Sequence, residues 1–230
     1  MLKKILLFIS IFFLWSYATT FASTNVTWTI WSNTTWTVAN SPYIVTWNMT
    51  LNSWVTLTIE PWVVVKFQEE YYFIINWNLQ AMWTSWNHIT FTSIDDASFG
   101  WSWASRWDWE MLYFSWAWSS SSLLDYVDIK YGWWPSSWWS QSIYTYSSSP
   151  TIQNSLITES REWWIYVASW YPDFKNNVIS NNDKAFYAPN LETLLDDTNT
   201  FSWNTAWVTI QTFTMISSIW ALTNNVDYVI

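Results

Sequence analysis

The acids and bases that could do chemistry in this chain fall into a few short segments. Asp125, Asp128 and Lys130 lie within one six-residue stretch, and Asp173 and Lys175 within three residues. Arg161 and Glu162 stand between the two groups. Side chains two apart on a strand share a face, so Asp128 with Lys130, and Asp173 with Lys175, each set a carboxylate beside an ammonium. Such a pair can hold an ion or move a proton. The plainer reading is a solvated outward face with modest ion pairing. Asp95-Asp96, helped by nearby carbonyls, is a candidate Ca²⁺ site, with a polar turn after Ile89–Ser93 as the simpler alternative. His88 is the sole histidine and there is no cysteine, so the chain has no thiolate or multi-histidine metal site. His88 itself reads as a residue of a turn.

The whole chain limits the partners such groups could meet. It has 230 residues, 17 acidic against 8 basic side chains, and a net charge of −9. Phosphate contacts need Lys and Arg, so nucleic acid is excluded as a partner. Lys3 and Lys4 precede an apolar run from Ile5 to Leu14. Thr20 and Ala22 then supply small residues before a cut at Ser23. This is the layout of a secretory signal peptide over residues 1–22, and its apolar run is short for a membrane anchor. The expected destination is outside a bacterial cell or on its surface, with the periplasm as the alternative. Removing the leader leaves 6 basic against 17 acidic side chains.

Glycine and tryptophan are anomalous together. There are 2 Gly and 26 Trp, where a chain of this length ordinarily holds about 16 glycines. Trp also stands where turns want glycine: Pro61-Trp62, Asn76-Trp77, Asp108-Trp109, Ser53-Trp54 and Trp47-Asn48. An indole has no preference for such places, whereas glycine alone takes positive φ freely. Some bacterial lineages read UGA as glycine, and a conceptual translation that writes UGA as Trp generates this pattern. The expectation is that most of these positions are glycine in the cell and a few are genuine Trp. A truly Trp-rich sugar-binding or membrane-interface surface is the alternative.

Past residue 37 the chain is a succession of short alternating runs. Met49 and Leu51 alternate, then Val55, Leu57 and Ile59, then Val63, Val65 and Phe67, then Leu79 and Ala81, then Ile89 and Phe91. Each run ends in a turn signal, which predicts short strands with one buried face. A repeat follows. Residues 149–158 align with 171–180, and 143–146 with 165–168, both at an offset of 22. Residues 124–129 match 152–157 at 28, and 47–51 match 77–81 at 30. Repeats of this length, built from three short strands, are the mark of a β-solenoid. Stacking would place Leu156 over Val178 and Thr200, and Ile157 over Ile179 and Phe201. Asn154 over Asn176 would form a polar ladder.

Read with glycine for tryptophan, residues 46–67 (TWNMTLNSWVTLTIEPWVVVKF), 79–93 (LQAMWTSWNHITFTS) and 148–169 (SSPTIQNSLITESREWWIYVAS) resemble bacterial right-handed parallel β-helix proteins of the pectin-lyase-like fold. The resemblance spans residues 38–210. It implies an all-β, single-stranded, right-handed helix with three short strands per coil of about 22 residues or more. Residues 23–37 are expected as a linker and 211–230 as a tail or the start of a further coil. Polysaccharide lyases of this fold use acids for Ca²⁺ and Arg or Lys as base, which makes Asp125, Asp128, Lys130, Asp173 and Lys175 the catalytic candidates. Pectin hydrolases of the fold carry a Gly-His-Gly that this chain lacks. The fold also hosts passive surface proteins. The expected function is therefore non-catalytic: binding polysaccharide or cell-surface components, or acting as a structural element. A lyase-like enzyme is the alternative. Loops 99–109 and 133–142 are the expected binding surface. The tripeptide Arg106-Trp-Asp108, R-G-D in the glycine reading, is assigned no adhesion role.

Overall fold

The computed structural model describes residues 23–97, 103–133, 141–161, 163–168, 172–184, 187–188, 198–204 and 209–210. Its strands form two sheets. A six-stranded sheet runs, in stacking order, Thr34–Trp36, Thr56–Ile59, Asn78–Met82, Leu123–Asp125, Thr151–Gln153 and Asp173–Lys175. The larger sheet has two arms that meet in the long strand Tyr43–Leu51. From its first half grows a middle arm: Val64–Phe67, Ile89–Ser93, Val127–Lys130, Leu156–Thr158, Val178–Ser180 and Thr200–Ser202. From its second half grows an outer arm: Phe73–Ile75, Leu112–Ser115, Gln141–Tyr146, Trp163–Val167, Tyr187–Ala188 and Thr209–Ile210. The strand pairings among the described residues are parallel. The architecture is all-β and curled, compatible with a β-solenoid.

Alternation in the sequence explains the core. Met49, Leu51, Val55, Leu57, Ile59, Val63, Val65, Phe67, Leu79, Ala81, Ile89 and Phe91 are all buried. Ile129, Ile157 and Ile179 share one register position and are fully buried, with Phe201 next in the column. Their neighbours Leu156, Val178 and Thr200 are stacked as expected, but on the outward side, and Val178 is exposed. Each fully buried aliphatic side chain contributes about 1.5–3 kcal/mol of transfer free energy.

The 22-residue offsets are those of the paired strands: Ile143 lies on Ile165, Thr151 on Asp173 and Leu156 on Val178. The offset of 28 holds as well, with Leu124 on Ile152 and Ile129 on Ile157. The offset of 30 does not. Leu51 pairs with Ile75, and Leu79 lies on Leu57 in the other sheet. The Trp-Asn pair that suggested the match occurs at two different corners. Residues 23–37 also differ from the expected linker. Thr24–Ile30 pairs with Tyr43–Leu51, and Thr34–Trp36 with Thr56–Ile59. A register shift between Val26 and Trp28 breaks the alternation that would have betrayed the first of these strands.

Two polar ladders run along the corners that flank the middle arm. Tyr126, Asn154 and Asn176 take equivalent positions at positive φ, as do Tyr131, Glu159, Asn181 and Trp203. Asn tolerates this region better than most residues. The buried ladders start one residue after each of these, rather than at Asn154 and Asn176 themselves. The Val127 N–H donates to Ser155 Oγ, Ser155 N–H to Asn177 Oδ1, and Asn177 N–H to Asn199 Oδ1, each near 3.0 Å. Asn177 Nδ2 also donates to the Ile152 carbonyl at 2.9 Å. At the second corner Ser160 N–H donates to Asn182 Oδ1, and Asn182 N–H to Asn204 Oδ1. These side chains satisfy turn amides that would otherwise be buried without partners.

The tryptophans divide sharply by environment. Trp28, Trp54, Trp62, Trp116 and Trp203 sit at φ between 56° and 70° with their indoles exposed. Trp36 and Trp109 are only 3% and 0% exposed. Trp36 stacks on Tyr43 at 4.7 Å. Trp109 stacks on Phe67 at 4.2 Å and donates its Nε1–H to the Lys130 carbonyl at 2.7 Å. Asp108-Trp109 is therefore not the turn dipeptide that its sequence suggests, because its indole fills the core.

These environments fix opposite outcomes for one substitution. Trp54→Gly and Trp62→Gly should each stabilise the fold, by about 1 kcal/mol, by relieving positive φ. Trp36→Gly and Trp109→Gly should cost about 3–5 kcal/mol through the cavity they leave. Chemical denaturation of the four variants would show whether the signs divide this way. Asn177→Ala should cost about 2–3 kcal/mol, because the buried Ser155 amide and the Ile152 carbonyl lose their partner. Asn154→Ala, at a half-buried corner where only the bond to Asp125 is lost, should cost under half of that.

Candidate functional site

The outward face of the middle arm brings together more ionisable groups than any single segment of sequence suggests. Thr90 pairs with Val64 on one side and Asp128 on the other, and Lys66 pairs with Thr92. Inward neighbours Val65, Phe91 and Ile129 are fully buried and fix these strands. Between them opens a cleft of about 310 Å³ lined by Val64, Lys66, Thr90, Thr92, Asp96, Ala97 and Lys130. At its edge His88 Nδ1 lies 2.7 Å from Asp128 Oδ1, with the Tyr126 ring 5.6 Å from the imidazole. A carboxylate on Nδ1 orients the ring and leaves Nε2 for other partners, which is the orienting half of a general base.

The cations in the cleft are held differently. Lys66 Nζ donates to the carbonyls of Asp96 at 2.6 Å and Ile94 at 3.4 Å. The Lys130 ammonium has no hydrogen-bond or ion-pair partner among the described residues. Asp96 Oδ2 accepts from Thr92 Oγ1 at 2.7 Å, and the Asp95 N–H donates to Ser93 Oγ at 2.9 Å. The two aspartates thus build the polar turn after Ile89–Ser93. Among the described residues, no three His, Cys, Asp or Glu side chains are placed to hold a metal ion.

The other predicted residues separate. Asp125 ends a strand of the six-stranded sheet, across a positive-φ corner at Tyr126 from Asp128. It accepts from Gln153 Nε2 at 2.9 Å and Asn154 Nδ2 at 2.7 Å. Asp173 and Lys175 do share a face, and they pair with each other at 2.6 Å on an exposed surface. Such a pair contributes little to stability. Arg161 lies 5.1 Å above the rings of Trp107 and Trp133. Glu162, and the parts 99–102 and 134–140 of the expected binding loops, lie outside the described residues.

Arg106 is committed to the scaffold. Its Nε donates to Glu159 Oε2 at 3.2 Å, Nη1 to Asp183 Oδ1 at 2.7 Å, and Nη2 to Asn181 Oδ1 at 3.1 Å. Asn181 Nδ2 donates to Glu159 Oε1. Asp108 accepts from Ser93 Oγ and the Ser105 N–H. Both charged ends of the Arg-Trp-Asp tripeptide are therefore engaged within the chain.

A second polar cleft, about 330 Å³, is lined by Gln68, Glu69, Glu70, Asp95, Trp107 and Asp108. Near it Glu110 is buried, and its Oε2 has no hydrogen-bond partner among the described residues. Burial pushes its carboxyl up to about 8, with the charge of Glu70 adding to the effect. Sequence reading passed over both Glu110 and the His88–Asp128 contact. His88 and Asp128 are 40 residues apart, and only the register of Ile89 on Val127 reveals that they meet.

Comparison with protein-family models, with curated proteins and with solved structures finds no match to this chain. Among the described residues, no helix is long and apolar enough to cross a membrane.

Glu110 generates a pH prediction. Its folded value, about 8, stands above the ordinary value of 4.5. Folding therefore favours the protonated form. Its contribution is complete below pH 4.5 and is lost as the pH rises through 8. The melting temperature should fall across that window, and Glu110→Gln should flatten the fall.

Proposed function

We propose that this chain is an exported, non-catalytic right-handed parallel β-helix with three short strands per coil, serving as a glycan- or surface-binding or structural element. Support for the coil comes from the strand order. From Thr56–Ile59 to Tyr187–Ala188 the described strands fall in turn in the six-stranded sheet, the middle arm and the outer arm. Right-handed connection is the rule for parallel crossovers. One observation carries the non-catalytic reading: most of the candidate acids and bases are already engaged within the chain. Asp125 is bound by Gln153 and Asn154, Asp173 by Lys175, Arg106 by Glu159 and Asp183, and Lys66 by carbonyls.

The second reading is a glycan-active enzyme. It is favoured by one cluster, the oriented His88 beside Asp128 near the unpaired Lys130. The two readings separate in one assay. The mature protein is incubated with pectate, alginate and chondroitin in the presence of Ca²⁺, and absorbance from new unsaturated ends is followed. The expected outcome is no turnover. Turnover that disappears in His88→Ala or Lys130→Ala would make the chain a lyase.

The proposal includes glycine decoding of most Trp positions. The five positive-φ tryptophans support it. The expected codons are UGA at Trp28, Trp54, Trp62, Trp116 and Trp203, and UGG at the buried Trp36 and Trp109. UGG at the first five would end the idea.

A further inference from the structure

The three strand columns differ in charge, and the difference points to a ligand. The six-stranded sheet carries Asp125, Asp173 and Lys175, and the middle arm carries Lys66, Asp128 and Lys130. The outer arm has no Asp, Glu, Lys or Arg in any of its strands, in a chain of net charge −9. Tyrosines stand there instead. Tyr113, Tyr144 and Tyr166 occupy one register position on adjacent strands, and the backbone register continues to Tyr187. Alternation turns this position away from the core, since Leu112, Phe114, Ile143 and Ile165 on either side are fully buried; Tyr113 and Tyr166 are half-buried there, and Tyr144 between them is covered by its neighbours, only 6% exposed. The Tyr113 and Tyr144 rings stack at 4.8 Å, and Tyr166 meets Tyr144 edge-on at 5.4 Å. Tyr146, 39% exposed, widens the stripe.

We propose that this tyrosine stripe on the outer arm binds a neutral, linear polysaccharide lying along the stack. The inference rests on the glycan-binding form of the function proposed above, and names the ligand class and the face. Rigid aromatic rings with a hydroxyl tip offer apolar contact and hydrogen bonding at low entropic cost, which suits a sugar's mixed surface. Successive strands stand about 4.8 Å apart, so the register sets a row of tyrosines along the stack, as a linear polymer requires. The absence of charge fits a neutral chain and gives an acidic one nothing to pair with. None of the tyrosines depends on how the Trp codons are read.

The test uses the full mature chain in affinity electrophoresis through hydroxyethyl cellulose and in sedimentation with insoluble cellulose and chitin, with pectate as the acidic control. Retention by a neutral polymer is expected, unchanged between low and high salt. Tyr113→Ser and Tyr166→Ser should each weaken it about tenfold, and Thr58→Ala, an exposed position on the six-stranded sheet, should leave it alone. Tyr166→Phe, which keeps the ring, should retain most binding and guards against loss of fold in the serine variants. Retention that survives both serine substitutions, or that falls with salt, overturns the proposal. Binding to pectate that needs Lys130 would overturn it while leaving the glycan-binding reading intact. No retention on any polymer removes both. A concentration-dependent dimer that Tyr113→Ser dissolves would assign the stripe to a second copy of the chain and overturn the proposal.

Discussion

Parallel hydrogen bonding between one coil and the next is the constraint on which the rest of this structure depends. A strand can pair with its equivalent one coil away only if the chain returns to the same register after every circuit. A slip of one residue would turn each inward Val, Ile or Phe outward. The chain meets this demand at its corners. The middle arm is entered at Tyr126, Asn154 and Asn176 and left at Tyr131, Glu159, Asn181 and Trp203, all at positive φ. Beside these bends the side chains of Ser155, Asn177, Asn182, Asn199 and Asn204 receive turn amides of the neighbouring strand's corner. Geometry and hydrogen bonding are thus solved by the same short motif. That is why Asn-Ser and Asn-Asn recur where the 22-residue offset is strictest.

Insertions enter where the constraint is weakest, at the passage from the middle arm to the outer arm. Ile89–Ser93 and Leu112–Ser115 are successive strands separated by a long excursion, yet Leu112 still lands on Phe73. Trp109 restores the register by filling the core against Phe67 and reaching the Lys130 carbonyl. Gly132 makes a similar close approach. A Cβ there would fall 2.4 Å from Ser142 Oγ, and its carbonyl accepts from both Ser142 and Ser160. The outer strands are therefore set by a few packed residues near the corner.

The sequence made the core legible where alternation was unbroken. Val63, Val65 and Phe67 or Leu57 and Ile59 could only face one way. The later coils were legible because nothing interrupts their period. Thr24–Ile30 was hidden by a register shift at Trp28, which sits at positive φ. The match of 47–51 to 77–81 failed because a turn dipeptide marks a corner without saying which corner it is. The candidate site was half legible. Spacing two apart put Asp128 with Lys130 and Asp173 with Lys175. It could not bring in His88 or Lys66, since those contacts cross a coil of unequal length. Glu110 gave no signal either, because its burial depends on how the insertion folds back.

The same insertion changes how the stack holds together. In a solenoid each coil touches only its neighbours, so stability is a sum of nearest-neighbour terms and the ends fray. Arg106 departs from this rule. It leaves the chain after the Ile89–Ser93 strand and binds Glu159, Asn181 and Asp183, which follow the second and third strands further along the middle arm. Each contact is partly exposed, and a single such pair is worth about 1 kcal/mol or less. One guanidinium engaging three side chains gains from its fixed planar geometry, because ordering it once serves every bond. The insertion therefore works as a brace across coils that backbone pairing alone would join only in series. An arginine employed in this way is withdrawn from any ligand.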